Sequence, residues 1–428
     1  MIQFSDYLAQ EWKPALGCTE PAAIAYAASL AAAQGEGPVR AVHLRCDPRI
    51  YKNCYAVGIP NSEKKVGIRW ALALGSLLPD PSAGLQVFRQ IDEGALREAG
   101  RLLSENAVSV EVDPSRPELL VDCTVVRSEG MGRAVLERDH TRLTRLEKNG
   151  KPCDPTRGGP SAPSREEAVR APSLREALAR LSFEELLQMA RDIRASDRQS
   201  LREGAEMNLA IARHGLTLFP RPFMDLIGMD PLTRISRLVC AGVYARMCGE
   251  DFPVMSLAGS GNKGIVTAVP LTLWARETGA DPSRAEEALA LACLVTSATT
   301  FHLGTLSAAC GCSNAAGVGL AVGLVSLQGG GPGDLSLAVN NVVGNVTGMI
   351  CDGAKMGCAL KTMTSVDAAF RAASLAMSGI GIPSTDGIVG RDGAQSLAHL
   401  GRIAGPGMAA MDAQILEIMQ AKLRREDS

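Results

Sequence analysis

The sequence predicts an α+β fold, in which an N-terminal mixed α/β domain is followed by a mainly α-helical domain with a buried, charge-poor helical core. Three observations predict it. Segments with period-two alternation of apolar residues occur only in the first third of the 428-residue chain. The chain has 44 Gly and abundant Ala but only 8 Phe, 5 Tyr and 3 Trp, which is typical of close helix packing. Within residues 288–351, Asp334 is the only charged side chain.

Each element of the N-terminal part follows from its local pattern. Thr19 is a natural helix N-cap and Pro21 is acceptable in a first turn, so a helix is expected over residues 20–33, with Cys18 just before it. Further helices are expected over residues 67–78 and 85–103. Alternation predicts strands over residues 38–46, 108–112, 119–126 and 134–146. These elements define a predicted α+β domain over residues 1–150, whose segment around Cys18 is expected to contribute to the active site.

The second part of the chain is predicted to be separate and helical. Residues 151–170 are polar and rich in Pro and Gly, as expected of a linker. Residues 171–428 then form the helical domain. In the charge-poor stretch, His302, Asn314 and clustered Gly, Ser and Thr interrupt the apolar runs before they reach the length of a membrane span. The stretch is therefore predicted to be the core of a soluble domain, with polar side chains facing an internal site.

Composition excludes several functional classes. Lys plus Arg is 44 and Asp plus Glu is 46, giving a net charge of -2, so the chain lacks the basic character that nucleic acids or anionic membranes attract. The first residues have no basic and apolar signal-peptide pattern, which predicts a cytoplasmic protein. In that reducing compartment, the 12 cysteines are expected to be buried side chains, metal ligands or catalytic thiols. A homodimer is expected from base rates alone.

Two late cysteines bracket a glycine-containing turn. Cys351 and Cys358 flank the segment CDGAKMGC, in which Gly353 and Gly357 allow the backbone to turn both sulfurs toward one point. The turn is either a metal-binding loop or a turn with two structural cysteines. The absence of any CxxC pair argues against a zinc ribbon and a ferredoxin-type cluster.

Cys18 is a second candidate because of its position before a helix. The positive end of the helix dipole and free N–H groups are expected to lower the pKa of its thiol. Cys18 would then serve as a ligand, a base or a nucleophile. The alternative is a small apolar residue packed under the start of the helix.

Three further segments offer groups that could hold a substrate. In AGSGNKG, the backbone amides of Ser260, Gly261 and Asn262 could cradle a carboxylate or phosphate, although the segment could also be a tight turn. Lys52 and Asn53 offer a cation and an amide near a predicted strand end, or form a solvated surface pair.

His302 lies in the charge-poor stretch ahead of Cys310. Its ring could donate a hydrogen bond to a metal-bound sulfur or to a substrate. The alternative is a histidine whose ring is satisfied by a backbone carbonyl.

These segments, taken together, resemble the iron–sulfur L-cysteine desulfidase family, which is related to bacterial iron–sulfur L-serine dehydratases. The similar segments are KPALGCTEPAAIA, YKNCYAVGIPN, AGSGNKGI, LSAACGC, GMICDGAKMGCALK and DGIVGRDGAQSLAHLGRIA. The resemblance implies a [4Fe-4S] cluster held by Cys310, Cys351 and Cys358, and a functional role for Cys18.

The chain departs from the family pattern at two positions. Cys312 lies two residues from Cys310 and could replace it as a ligand. Relatives often have a basic residue where this chain has Thr305. Two candidates for the group that neutralises a substrate carboxylate therefore remain, namely Lys52 and the backbone amides of residues 260–262.

The implied reaction is α,β-elimination of L-cysteine to pyruvate, ammonium and sulfide. A cubane with three protein thiolates leaves one iron open as a Lewis acid for a soft sulfur. Cys18 would be the base or a displaceable fourth ligand. The alternatives are dehydration of L-serine at the same cluster and a non-catalytic redox sensor with Cys18 as fourth ligand. A pyridoxal phosphate lyase would need a protected lysine, for which Lys263, Lys355 and Lys361 are candidates.

Overall fold

The computed structural model describes residues 2–78, 80–116, 118–153, 173–220 and 230–426. A sheet-containing N-terminal region precedes a helical C-terminal part, so the predicted fold class is confirmed. The predicted linker over residues 151–170 falls largely outside the described residues.

The N-terminal region alternates helices and strands close to the predicted positions. Its helices are α1 (Phe4–Glu11), α2 (Thr19–Ala32), α3 (Pro48–Cys54), α4 (Ile68–Gly75), the 3-10 helix Pro81–Gln90 and α5 (Glu93–Ser104). Its strands are β1 (Trp12–Leu16), β2 (Glu36–Cys46), β3 (Val108–Val112), β4 (Leu120–Glu137), β5 (Leu143–Lys148) and β6 (Lys151–Pro152).

The helix expected over residues 85–103 is divided between the 3-10 helix Pro81–Gln90 and α5 (Glu93–Ser104). Two further boundaries differ from the predictions. The N-cap of α2 is Cys18 and not Thr19, which is the first helical residue. The boundary between the strands expected over residues 119–126 and 134–146 is also different. Strand β4 continues through the polar segment to Glu137, and the shorter β5 begins only at Leu143. The difference at Cys18 is the most important one, since it places the Cys18 side chain at the helix end itself.

Five of these strands form one sheet in the order β3-β2-β4-β5-β6. Strand β2 pairs in parallel with β3 and antiparallel with β4, so that Val42 lies opposite both Val108 and Val125. Helix α2 covers one face of this sheet, packing against β4, and every residue of the helix is buried. This burial explains why α2 is built almost entirely of small and apolar residues.

The C-terminal part is helical except for one short strand. Its elements are α6 (Leu174–Ala179), α7 (Phe183–Arg191), α8 (Ala195–Leu216), α9 (Pro231–Cys248), β7 (Pro253–Leu257), α10 (Gly261–Glu277), α11 (Pro282–Leu303), α12 (Gly311–Gln328), α13 (Pro332–Val346), α14 (Cys358–Met377), α15 (Gly393–Arg402), the π-turn Ile403–Gly407 and α16 (Ala409–Glu426).

Helix α12 lies at the centre of this part and packs against α10, α11, α13 and α14. It is the one helix in the described part of the chain that is long and apolar enough to cross a membrane, and 78% of its residues are buried inside the protein. A core helix of a folded domain has this same composition. Helices α11 and α12 supply most of the predicted charge-poor core.

The two parts of the chain are joined by strand pairing. Strand β1 pairs antiparallel with β7, so Trp12 lies opposite Leu257 and Leu16 opposite Pro253. Buried residues of both parts belong to one continuous apolar core. The pairing brings the start of α2 next to the turn that precedes α10.

Candidate active site

The turn before α10 forms one wall of the candidate site. Ala258 and Gly259 have φ angles of 48° and 78°, in the left-handed region, and the chain then enters α10 with Ser260 as N-cap. No side chain caps this helix end. The predicted amide cradle is therefore the N-terminus of a 17-residue helix, where the helix dipole favours an anion.

Cys18 faces a carboxylate at the start of α2. Its Sγ donates a hydrogen bond to Glu20 Oε2 at 2.9 Å. Burial raises the pKa of the Cys18 thiol well above its ordinary value, the charge of Glu20 raises it further, and Arg246 opposes the shift. The expected lowering of this pKa is therefore wrong, because desolvation and a neighbouring carboxylate outweigh the helix dipole.

The turn connects Cys18 to the late cysteines. On one side, Thr19 Oγ1 donates to the carbonyl of Gly259 at 3.0 Å. On the other side, Ser260 Oγ lies 3.4 Å from Cys312 Sγ. A stretch of two residues thus contacts both the N-terminus of α2 and the N-terminus of α12.

Cys310, Cys351 and Cys358 come from three segments that the backbone holds together. The N–H of Cys310 donates to the carbonyl of Met349 at 2.8 Å, and the N–H of Cys351 donates to the carbonyl of Ala308 at 2.7 Å. Cys358 is the first residue of α14, and its Sγ donates to the carbonyl of Gly353 at 3.6 Å.

Gly353 is required where it stands in this loop. Its φ is 95°, and a Cβ at this position would lie 2.5 Å from the carbonyl oxygen of Lys52. A side chain here would separate the loop from α3. Gly357, which was also predicted to shape the turn, has an ordinary φ of -60°.

The three thiols act on one another electrostatically. Burial raises the pKa of Cys358 to about 12, with contributions from the charges of Cys310 and Cys351. Burial also raises the pKa of Cys351, and Cys310 adds to that shift. Charges act on one another in this way over several ångströms, so the three predicted ligands lie in the same region of the fold.

Lysines counteract these shifts. Lys52 and Lys361 lower the pKa of Cys351, and Lys355 lowers that of Cys358. Cations beside a group of thiols stabilise the thiolate form, which is the form that binds a metal.

Cysteine thiols are the usual donors to an iron–sulfur cluster. Among the described residues, no three His, Cys, Asp or Glu side chains lie close enough to hold one metal ion. In a cubane, each cysteine binds a different iron, so the sulfurs surround the cluster and do not converge on one atom. Cys310, Cys351 and Cys358 supply three thiols of the kind that such a cluster binds, and lysines act on two of them.

Cys310 and Cys312 differ in their surroundings. The charge of Cys310 affects both Cys351 and Cys358. Cys312 instead contacts Ser260 and acts on Lys263. A hydrogen bond with Cys312 is the largest cause that raises the pKa of Cys310, so the two thiols are neighbours.

Lys52 and Asn53 lie in α3 beside Cys351 and are buried, so the surface-pair alternative is wrong. Lys52 Nζ donates to Asp412 Oδ1 at 2.5 Å and to the carbonyl of Cys351 at 2.7 Å. Cys351 Sγ lies 3.9 Å from Asn53 Oδ1. With these partners, Lys52 holds the Cys351 loop, and its charge is balanced by Asp412 of α16.

His302 lies at the end of α11, partly buried, with its ring against Phe301. Its backbone packs beside Gly401 of α15. Burial lowers the pKa of the His302 ring. Within the described ranges, no hydrogen bond joins this ring to a cysteine, so its expected role stays a prediction.

Four buried or partly buried groups near the turn were not predicted as site residues: His140, Arg175, Arg246 and, as a substrate-binding group, Lys263. Arg175 Nη1 donates to Thr305 Oγ1 at 2.9 Å, so a guanidinium lies beside the position at which the resemblance led us to expect a basic residue. Burial and Arg175 lower the pKa of Lys263 to about 8. No local pattern marks His140, Arg175 or Arg246, because each comes from a different segment, whereas Lys263 belongs to the AGSGNKG segment.

Comparison with known proteins shows the family of the chain. A family model described as the serine dehydratase alpha chain matches residues 85–417. This match includes Cys310, Cys351 and Cys358. The chain belongs to the serine dehydratase alpha-chain family.

Full-length relatives extend the similarity to the N-terminal region. They include a "UPF0597 protein" of Geobacter sulfurreducens, 37% identical over 100% of both chains. Another, from Nitratidesulfovibrio vulgaris, is 36% identical over 98% of this chain and 99% of its own. A third, from Caldanaerobacter subterraneus, is 33% identical over 99% of both. The resemblance that the motifs indicated is confirmed, and the family is one of iron–sulfur-dependent, dehydratase-like lyases.

Proposed function

We propose that the protein is a cytoplasmic L-cysteine desulfidase that uses a [4Fe-4S] cluster held by Cys310, Cys351 and Cys358. The observation that carries the proposal is the turn at Gly259 and Ser260. It contacts the segment of Cys18 on one side and that of Cys310 on the other. A small amino acid at this turn would be next to a thiol, a helix N-terminus and the cluster-binding cysteines at once.

The cluster would supply a Lewis-acidic iron for the substrate sulfur, which is the soft ligand that iron accepts readily. The chain supplies the rest. The N-terminus of α10 receives the carboxylate. The buried walls exclude bulk water and so strengthen the polar contacts inside.

Removal of the proton at Cα is assigned to Cys18, with Glu20 as the partner of its thiol. Glu20 Oε2 accepts the Cys18 S–H at 2.9 Å. Because burial and the charge of Glu20 raise the pKa of this thiol, transfer of its proton to Glu20 gives only a minor thiolate form, which the positive charge of Arg246 favours. The resulting thiolate then accepts the Cα proton as sulfide leaves from Cβ. The aminoacrylate that is released hydrolyses to pyruvate and ammonium.

Dehydration of L-serine is the second candidate, because the family model that matches is named for serine dehydratase. Both substrates give pyruvate and ammonium, but only cysteine gives sulfide. The leaving group therefore distinguishes the two candidates.

The test is anaerobic purification, followed by sulfide and pyruvate assays on L-cysteine and on L-serine. We expect absorbance at about 400 nm, which is typical of such clusters. We also expect kcat/KM to be at least about tenfold higher for L-cysteine than for L-serine, which corresponds to a difference of about 1.4 kcal/mol in activation free energy. Pyruvate from serine without sulfide from cysteine would support the dehydratase instead. No turnover with either substrate would support a redox protein.

Cys18→Ala separates chemistry from cluster binding. It should retain the absorbance and lower kcat about a hundredfold or more, as expected for loss of a proton-transfer group. Cys240→Ala is the control, because Cys240 lies in α9 and no cysteine or charged group alters its pKa, which burial alone raises to about 11. Full activity in Cys18→Ala would show that this thiol is not the base.

A further inference from the structure

Three of the buried cations around the site already have acceptors. Lys52 is balanced by Asp412, with Nζ and Oδ1 2.5 Å apart. Arg175 Nε donates to both oxygens of Glu11, at 2.9 and 3.0 Å. Lys263 Nζ donates to the carbonyl of Ala258 at 3.0 Å.

Arg246 differs from all three. Its side chain is among the largest fully buried ones, with 1% of the residue exposed. Nη1 donates to Asn262 Oδ1 at 2.8 Å, but Nε and Nη2 have no hydrogen-bond partner among the described residues. A buried guanidinium with two unsatisfied N–H groups is costly unless a ligand supplies the missing acceptor.

The unsatisfied edge of Arg246 lies at the start of α10. A Cβ at Gly261 would be 2.5 Å from Arg246 Nε, so the guanidinium lies directly against the first residue of the helix. Ser260 offers no side-chain cap there. The free N–H groups of the helix N-terminus and those of the guanidinium both lack an acceptor, and an anion would supply one to each.

The chemistry of this edge indicates which anion. Nε and Nη2 form one side of the planar guanidinium, and their spacing matches the two oxygens of a carboxylate. We propose that Arg246, with the N-terminus of α10, binds the α-carboxylate of the amino-acid substrate. This inference rests on the proposed function, which it deepens by naming the group that recognises the substrate.

The position of Arg246 also orients the substrate. Its positive charge is close enough to lower the pKa of Cys18. Since Cα is bonded directly to the carboxylate carbon, a carboxylate on Arg246 would bring Cα into the region in which this charge acts on the Cys18 thiol. Gly261 leaves the room this contact needs, because any larger residue would displace the guanidinium.

Binding of a substrate analogue tests the inference without turnover. L-alanine has the carboxylate but no leaving group, and L-alaninamide lacks the negative charge. Calorimetry on the anaerobic, cluster-loaded wild type should give a dissociation constant at least about thirtyfold lower for L-alanine, as expected for a desolvated charge pair. Equal affinities, or no binding of L-alanine, would overturn the inference without any variant.

Variants assign the effect to Arg246. Arg246→Gln should abolish the preference for L-alanine, while Arg246→Lys should retain part of it. Arg234→Gln is the matched control, because Arg234 is on the same helix but pairs with Glu277 at the surface. An unchanged preference in Arg246→Gln would assign the carboxylate to another group.

The inference and the proposed function fail separately. Selective binding of L-alanine through Arg246 without sulfide or pyruvate production would contradict only the desulfidase. Turnover of L-cysteine with an unchanged KM in Arg246→Gln would contradict only the carboxylate site.

Discussion

At the scale of single residues, the cysteines differ in what surrounds them. The pKa of Cys293 is raised by burial alone, as expected of a structural thiol. Cys351 and Cys358 are also buried, but neighbouring thiols and lysines act on them. The lysines beside Cys351 and Cys358 thus distinguish these two thiols from Cys293.

The first prediction concerns the ligands. Cys310→Ala, Cys351→Ala and Cys358→Ala should each lower iron content at least about tenfold, because removal of a ligand weakens metal binding more than removal of its supporting groups. Cys312→Ala should retain the cluster. Iron analysis and absorbance under argon measure both. A cluster that survives in Cys310→Ala but not in Cys312→Ala would reverse the assignment of the third ligand.

His140 gives a pH-dependent prediction. Its ring is buried, and neither nitrogen has a hydrogen-bond partner in the part of the chain that the structure describes. Burial lowers the pKa of His140, although the charges of Glu20 and Asp139 oppose the shift. Below about pH 6.5, the unfolded histidine therefore binds a proton that the folded one resists.

Stability should thus fall as the pH is lowered through about 6.5 toward the folded pKa, by up to about 1.4 kcal/mol per pH unit from this group. Urea unfolding of the wild type and of His140→Asn, at pH values between about 7.5 and 5.5, measures the difference in slope. The variant should show the shallower loss. Equal slopes would mean that the folded state also protonates His140.

The site residues that could not be predicted from the sequence were missed for one reason, which is that their surroundings depend on tertiary packing. Cys18, Ser260 and Cys310 lie in recognisable local patterns, so their candidacy could be predicted. Arg246 lies inside an ordinary helix, and only the packing of α9 against α10 shows that its guanidinium lacks an acceptor. The pKa of Cys18 was mispredicted for a related reason, since burial depends on the tertiary structure.

At the scale of elements, helix ends and one terminal helix assemble the site. Cys18, Ser260 and Cys310 are the N-caps of α2, α10 and α12, and Cys358 begins α14. Of these ends, only the start of α2 was predicted from the sequence, to within one residue. The convergence of the four ends could not be predicted, because it depends on the pairing of β1 with β7 and on the bridge between Ala309 and Ile350.

Helix α16 supports the Cys351 loop from the C-terminal side. Asp412 accepts hydrogen bonds from both Lys52 and Arg49, at 2.5 and 3.0 Å. Lys52 in turn holds the carbonyl of Cys351. Asp412→Asn should therefore lower the free energy of unfolding by about 3 kcal/mol, because it leaves a buried lysine without its counter-charge.

Urea unfolding checks this value, with Glu417→Gln as control because Glu417 is exposed on the same helix. Asp412→Asn should also lose its cluster faster in air, while Glu417→Gln should behave as the wild type. Equal stability in the two variants would show that the Lys52–Asp412 pair makes no net contribution to the free energy of unfolding.

At the scale of the whole molecule, the two predicted domains share one apolar core. Residues of α2 and the sheet belong to the same buried cluster as residues of α11 and α12. Trp12 of β1 packs on α8, where its Nε1 donates to the carbonyl of Ser200 at 3.2 Å. The change in composition near residue 150 indicates where strands give way to helices, but a separate domain needs a core of its own.

The shared core predicts cooperative unfolding of the whole chain. The three tryptophans report on different places: Trp70 on α4, Trp12 on the junction and Trp274 on α10. In protein labelled with fluorotryptophan, the three fluorine resonances should lose native intensity at one urea concentration, since no part retains a complete core without the other. Single Trp→Phe variants assign the resonances. A lower midpoint for Trp70 than for Trp274 would show that residues 1–150 unfold as a domain of their own, and that the site, built across the junction, is lost at that first step.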